Sequence, residues 1–242
     1  MTRTTFTLLV SAFLLAFVFT ARAQSSLWVR PGGCDTSTCG SSCNGTFECP
    51  LDTIQDALDE LPYGGTVLLF PGTYSGEGNS NITLKGAQYT INSGQGVQLA
   101  TIDCGGRPGF TVENGNAIIA GVIVNNCQRP GGNGGAFYTR YANIALQGVK
   151  VTNSGADKGA AFYLENGSGT IARSYFTSNT ATTTGGGIYV TGSQLDLIES
   201  NMTGNSPNDI ACAGATINQP RPAIETGEVE CLSGCNSPLC SA

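Results

Sequence analysis

Gly134-Gly-Ala-Phe-Tyr-Thr-Arg140 returns as Gly159-Ala-Ala-Phe-Tyr-Leu-Glu165 and again as Gly185-Gly-Gly-Ile-Tyr-Val-Thr191. Aligned on these copies, the stretch from Phe110 to Asn205 becomes four rungs with four matching columns. They are Phe110, Phe137, Phe162, Ile188; then Ile119, Leu146, Ile171, Leu197; then Val124, Val151, Phe176, Met202; and finally Cys127, Ser154, Asn179, Asn205. All four columns step by the same 27, 25 and 26 residues. A fixed period of this length marks a solenoid, whose units bury their apolar side only against their neighbours. An antiparallel sandwich also spaces short strands regularly. It gives no reason for several columns to keep step through the same three increments. Each rung therefore reads as three short apolar strands and a polar corner.

The rest of the chain fits around this array. Thr66-Val-Leu-Leu-Phe70, Ile82-Thr-Leu84, Tyr89-Thr-Ile91 and Ala100-Thr-Ile-Asp-Cys104 supply earlier strands, and Asp209 to Ile217 begins a last, broken rung. Leu51, Ile54, Leu58 and Leu61 recur at helical spacing, so an amphipathic helix is expected over 51–61. Asp52 and Gln55 stand as its capping box, and Pro62 stops it. Such a helix covers the raw edge and open core of a first rung. The expected division is a leader at 1–23, a disulfide-rich N-terminal cap at 24–65, the parallel β-helix at 66–217 and a Cys/Pro-rich C-terminal cap at 218–242.

The leader is a secretory signal peptide by its order: Arg3, an apolar run from Phe6 to Thr20, then Ala21-Arg-Ala23 for cleavage. The run is shorter than the ~20 apolar residues that cross a bilayer. No later stretch is longer, so no membrane span is expected. Charged residues are 12% of the 242, about half the usual ~25%, which suits tightly turned short strands. The net charge is −6, which argues against nucleic acid as a partner.

Ten cysteines behind a signal peptide read as disulfides. Cys34, Cys39, Cys43 and Cys49 form one cluster, and Cys212, Cys231, Cys235 and Cys240 another. Pairing is expected within each. Cys104 and Cys127 end equivalent strands of successive rungs and are expected to bond to each other. With no histidine in the chain, the front cluster is read as disulfides rather than a metal site, and no cofactor is expected. Asn44, Asn81, Asn166 and Asn201 each begin an Asn-X-Ser/Thr sequon, a candidate for glycosylation.

Two resemblances run through the same residues. Asp52-Thr-Ile-Gln-Asp-Ala-Leu58, Gly64-Gly-Thr-Val-Leu-Leu-Phe-Pro-Gly-Thr-Tyr74 and Thr101-Ile-Asp103 resemble the start of pectin-lyase-like right-handed parallel β-helices. Gly134-Gly-Ala-Phe137, Gly159-Ala-Ala-Phe162 and Gly185-Gly-Gly-Ile188 are similar to the GGA[ILV] motif of polymorphic outer-membrane protein repeats, and Phe176-Thr-Ser-Asn179 to their FxxN motif. Together the resemblances cover about Thr53 to Asn205. They imply an all-β, right-handed, single-stranded parallel β-helix with a short N-terminal capping helix. Stacking of equivalent residues in a parallel coil would also allow amide ladders that satisfy the corner backbone, expected for Asn179 over Asn205 and Asn126 over Asn153.

Enzymes of this fold act on acidic polysaccharides with outward carboxylates. Pectate lyases gather acids around calcium beside a basic proton abstractor, and the hydrolases use two or three close aspartates. Here Asp157, Asp196 and Asp209 fall in different parts of the rung, and Asp103 has no second carboxylate beside it. Serine, threonine and cysteine nucleophiles lack a histidine base. No catalytic residue is therefore named. Strand alternation places Tyr138, Tyr163 and Tyr189 in one outward column, with Glu113, Arg140 and Glu165 in the next. This predicts a flat aromatic strip on which a sugar chain could lie, flanked by charges able to bond its hydroxyls. The bland alternative is a sheet-shielding tyrosine stack beside a surface ion-pair ladder. The expected function is a secreted, non-catalytic surface or matrix module that binds carbohydrate or a cell-surface protein. A degenerate polysaccharide-active enzyme and a purely structural spacer are the alternatives.

Overall fold

In the computed structural model, Phe137 lies between Phe110 and Phe162 in a continuous parallel sheet, with Ile188 as the next partner. The structure describes residues 25–40, 43–93, 99–221 and 225–241. The predicted leader at 1–23 lies outside them. The chain coils as a right-handed parallel β-helix. One rung shows the plan: strands Phe110–Glu113, Asn116–Ala120 and Val122–Asn125, then a short fourth strand, Gln128–Arg129. Each pairs in parallel with its equivalent in the next rung, giving sheets of seven, eight, seven and three strands. All three apolar columns hold their predicted register. Ile82 and Ile210 extend the first column, and Ile91 the second. The rings of Phe110 and Phe137 stack at 5.1 Å and 7°. Each such residue, fully buried, contributes about 1.5–3 kcal/mol.

The fourth sheet corrects the reading of three strands per rung. Gln128–Arg129, Gly155–Lys158 and Thr180–Thr184 build it. These segments are polar and short, and their backbone pairing is set by the neighbouring rungs rather than by side-chain pattern.

Left-handed residues make the corners, again in columns. Asn114, Tyr141, Asn166 and Gly192 turn the chain out of the first sheet. Gly121, Gly148, Arg173 and Glu199 turn it out of the second, and Asn126, Asn153, Ser178 and Gly204 out of the third. A positive φ costs a side-chain-bearing residue about 1–2 kcal/mol, least for Asn. The corner that opens the first strand is stricter. Gly134, Gly159 and Gly185 have φ of 70°, 58° and 64°, and a Cβ there would lie 2.4–2.5 Å from the carbonyl oxygen three residues on.

Inside the corner after the third sheet runs a buried amide ladder. Ser154 N–H donates to Asn179 Oδ1 at 3.0 Å, and Asn179 N–H donates to Asn205 Oδ1 at 3.0 Å. Asn205 N–H donates to Asp209 Oδ1 at 2.8 Å, which ends the ladder. Asn126 and Asn153 do not form the second ladder that the sequence suggested. They hold the left-handed position, so their side chains leave the core. Asn126 Nδ2 donates to Asp103 Oδ1 at 3.4 Å and Asn153 Nδ2 to Asn125 Oδ1 at 3.0 Å. Serines do that work at the corner between the second and third sheets: Val149 N–H donates to Ser174 Oγ and Ser174 N–H to Ser200 Oγ, both at 3.1 Å.

The N-terminal cap differs from the predicted 51–61 helix. A first helix, α1 (Thr36–Cys39), lies among the cysteines of the N-terminal cap, and the capping helix, α2, spans only Ile54–Asp59. Leu51 is drawn instead into a bridge with Val29. The N-cap is therefore Thr53, whose side chain accepts from Asp56 N–H, not Asp52. Gln55 turns to the sheet, where its Oε1 accepts from Thr83 N–H at 2.9 Å on the edge strand Ile82–Lys85. Ile54, Ala57 and Leu58 close the end of the core. The disulfides are Cys34–Cys43, Cys39–Cys49, Cys104–Cys127, Cys212–Cys235 and Cys231–Cys240. Pairing stays within each cluster, and Cys104–Cys127 staples two successive rungs.

Candidate functional site

Tyr138, Tyr163 and Tyr189 occupy one column, as alternation predicts, with ring centroids 5.5 Å apart and planes within 6°. They do not form an open strip. Tyr163 is 6% exposed and Tyr189 5%, and Tyr138 is half-buried. The residues that close each rung come back over the rings. Arg129 sets its guanidinium 5.3 Å from the Tyr138 ring centre, donating to Thr111 Oγ1 at 2.9 Å and to the Gly134 carbonyl at 3.0 Å. Lys158 Nζ stands 5.0 Å over Tyr189. Burial foremost, then the nearby Glu165 carboxylate, pushes the Tyr163 hydroxyl up to about 12, against a hydrogen bond from the Asn133 side chain. Burial also raises Tyr138. A sugar face has no access to the rings of Tyr163 and Tyr189. Local alternation separates inside from outside within one sheet, but not whether a neighbouring corner covers the outside.

The charged column keeps its register and forms ion pairs, but Glu113 pairs with Lys85 rather than with Arg140. Lys85, Glu113, Arg140 and Glu165 stand in line. Glu113 pairs with Lys85 at 3.3 Å, and Arg140 with Glu165 at 3.6 Å. Arg173 pairs with Glu199 at 3.1 Å. Exposed pairs of this kind add little stability.

The acids stay apart. Asp103 Oδ1, on the third sheet, accepts from Gly105 N–H at 3.0 Å. Asp157, on the fourth, accepts from Thr182 Oγ1 at 3.2 Å. Asp196, on the second, accepts from Asn218 Nδ2 at 2.7 Å, and buried Asp209 ends the amide ladder. Of the sequon residues, Asn44, Asn81 and Asn166 are exposed and Asn201 is half-buried. Asn44 Oδ1 accepts from Thr46 Oγ1 at 2.9 Å, and Asn201 Oδ1 from Thr203 Oγ1 at 2.8 Å.

A groove that sequence reasoning missed lies on the outer face of the second sheet, with a volume of about 350 Å³. One wall is a polar column, Gln88, Asn116, Asn143, Ser168 and Gln194. The next column, Ile118, Ala145, Thr170 and Asp196, forms its floor. Asn143 Nδ2 donates to Asn116 Oδ1 at 2.8 Å, and Ser168 Oγ to Asn143 Oδ1 at 2.5 Å, so the wall is ordered before any ligand arrives. Ile118 is 36% exposed. The register that sorts the first and third strands into inward and outward residues sorts this one equally. The residues that line the groove include no aromatic and only one charge, so nothing in their sequence stands out.

Comparison with known proteins gives two likenesses. A pectate lyase of Emericella nidulans is 32% identical over 92 residues, which is 37% of this chain and 21% of that enzyme. The match thus spans about a fifth of the relative's length. Among solved structures, a candidate glycosyl hydrolase from Parabacteroides merdae covers 88% of this chain and 96% of its own, at 14% identity and a TM-score of 0.43. No protein-family model matches the chain. With its three apolar columns in parallel register around one coil, the chain is a right-handed parallel β-helix, part of which is similar to a pectate lyase.

Proposed function

We propose that the protein is a secreted, non-catalytic β-helix that binds a polysaccharide in the second-sheet groove, as a surface or matrix module. The observation that carries this reading is the amide and hydroxyl wall over five strands, bonded side to side at Asn116, Asn143 and Ser168, beside a floor that is apolar at Ile118 and Ala145. Strands step by about 4.8 Å. Each rung therefore offers a donor and an acceptor at an interval close to one pyranose ring, while Ile118 and Ala145 meet its C–H face. Five disulfides suit an oxidising compartment. The partial likeness to a pectate lyase supports a polysaccharide as the ligand class. Glu113, Arg140 and Glu165 lie across the turns at Asn114, Tyr141 and Asn166 from the polar wall, outside the groove's lining.

A glycan array probed with wild-type protein and with Ala145→Arg tests this. Ala145 points outward on the floor, so the arginine fills the groove without entering the core. The expected result is glycan binding lost in the variant at an unchanged melting temperature. Equal binding by both proteins rejects the groove. The lyase likeness favours a second reading, a polysaccharide-cleaving enzyme. Release of unsaturated uronides in proportion to protein, and lost on mutating Asp103, would establish it.

A further inference from the structure

We infer that the groove selects an uncharged polysaccharide and rejects one built of uronic acids. This rests on the reading of the groove as the glycan site. Among the groove's lining residues only Asp196 is charged, and its charge is negative. Asn218 Nδ2 donates to it at 2.7 Å and Gln194 Nε2 at 3.5 Å, so it stays in place as a fixed anionic group on the floor. Among the described residues no lysine or arginine lines the groove.

Several bases on the adjoining sheets have other partners. Lys85 and Arg140, across the turn, pair with Glu113 and Glu165. Arg173 pairs with Glu199, while Arg129 and Lys158 lie over tyrosine rings. A uronate chain would bring one carboxylate per sugar to this floor. Each would lose part of its hydration without meeting a cation and would face Asp196 and the overall charge of −6. A neutral sugar presents hydroxyls, each a donor and an acceptor. Asn116 and Asn143 match that pattern, since each keeps an amide N–H free after the bond along the wall.

The test is calorimetric titration of the full chain with four hexasaccharides: cellohexaose, xylohexaose, mannohexaose and hexagalacturonate. Wild type, Ala145→Arg, Thr170→Arg and Asp196→Asn are compared at low and high ionic strength. Circular dichroism melts confirm that each variant is folded, and Thr170→Arg replaces Ala145→Arg if the latter is not. The expected result is that at least one neutral hexasaccharide binds about tenfold more tightly than hexagalacturonate. That binding should be insensitive to salt, because no ion pair is made. It should be lost in the groove-filling variant. Asp196→Asn should narrow the preference by strengthening hexagalacturonate binding. Hexagalacturonate binding as tight as any neutral sugar, and lost on filling the groove, overturns the selectivity while leaving the groove as the glycan site. Binding unaffected by filling the groove, or no binding of any of the four, overturns both.

Discussion

Asn205 Oδ1 accepts two hydrogen bonds from Asn179 in the rung before it, one from the backbone N–H at 3.0 Å and one from Nδ2 at 2.9 Å. Both residues are buried, and Asn205 Nδ2 donates in turn to the Phe176 carbonyl at 2.8 Å. One amide thus satisfies groups in two rungs that water cannot reach. Asn205→Leu keeps the branched shape, though it is larger, and leaves the Asn179 backbone N–H unpaired, while Asn179 Nδ2 keeps the Val151 and Thr177 carbonyls. An unsatisfied buried group costs about 1–3 kcal/mol. The variant should lose about 2–4 kcal/mol, read as a shift of the urea midpoint. A wild-type midpoint would mean that the ladder is not what holds the corner.

Thr139 makes the opposite case. It faces inward between Val112 and Leu164, fully buried, and its hydroxyl has no hydrogen-bond partner. Thr139→Val replaces that hydroxyl with a methyl of similar size. Stability should rise by about 1 kcal/mol. A fall in midpoint would show that the hydroxyl is satisfied in solution.

Two corner glycines should respond unequally to alanine. Gly148 has φ +61° with open space where a methyl would stand, and Arg173 and Glu199 occupy the same corner in later rungs. Gly148→Ala should cost only the left-handed penalty of about 1 kcal/mol. At Gly185 the methyl would lie 2.4 Å from the Ile188 carbonyl, so backbone must shift as well. Gly185→Ala should cost about 3 kcal/mol or more. Paired chemical denaturation curves give the comparison, and equal losses would contradict it.

The tyrosine stack predicts alkaline sensitivity. Tyr163 is raised from 10.0 to about 12, chiefly by burial. The folded state therefore holds its proton more tightly than the unfolded state. That contribution is fully present below pH 10 and is lost as pH rises from 10 to about 12. Tyr163→Phe should flatten this part of the stability profile. It should also leave glycan binding intact, since the ring is covered. Lost binding in a folded Tyr163→Phe protein would return the tyrosines to the ligand site.

Cys104–Cys127 closes a loop of 23 residues and joins neighbouring rungs. A crosslink of that span contributes about 3 kcal/mol. Cys104→Ser with Cys127→Ser should lower the denaturation midpoint by a corresponding amount. Non-reducing peptide maps of the parent should recover all five pairs described. A peptide linking the 34–49 cluster to the 212–240 cluster would contradict the coil.

The core was legible in the sequence because a parallel coil places equivalent residues on one another. Phe110, Phe137, Phe162 and Ile188 recur at the period of the coil, so their order along the chain is their order in space. The same holds for the Asn179–Asn205 ladder and the Cys104–Cys127 bridge, each linking neighbouring rungs. What lies between faces of the rod was not legible. Whether Arg129 and Lys158 cover the tyrosines depends on how far each corner folds back, and the repeat carries no term for that. Leu51 fits a helical face, yet pairing with Val29 takes it into a bridge, because tertiary hydrogen bonding outweighs a weak local propensity. Lys85 joined the charged column only when Ile82–Lys85 proved to pair with Phe110–Glu113. The groove on the second sheet needed the structure for the same reason. Its residues are set by alternation, but that they enclose one groove over five strands is a matter of side-chain placement, which the repeat does not carry.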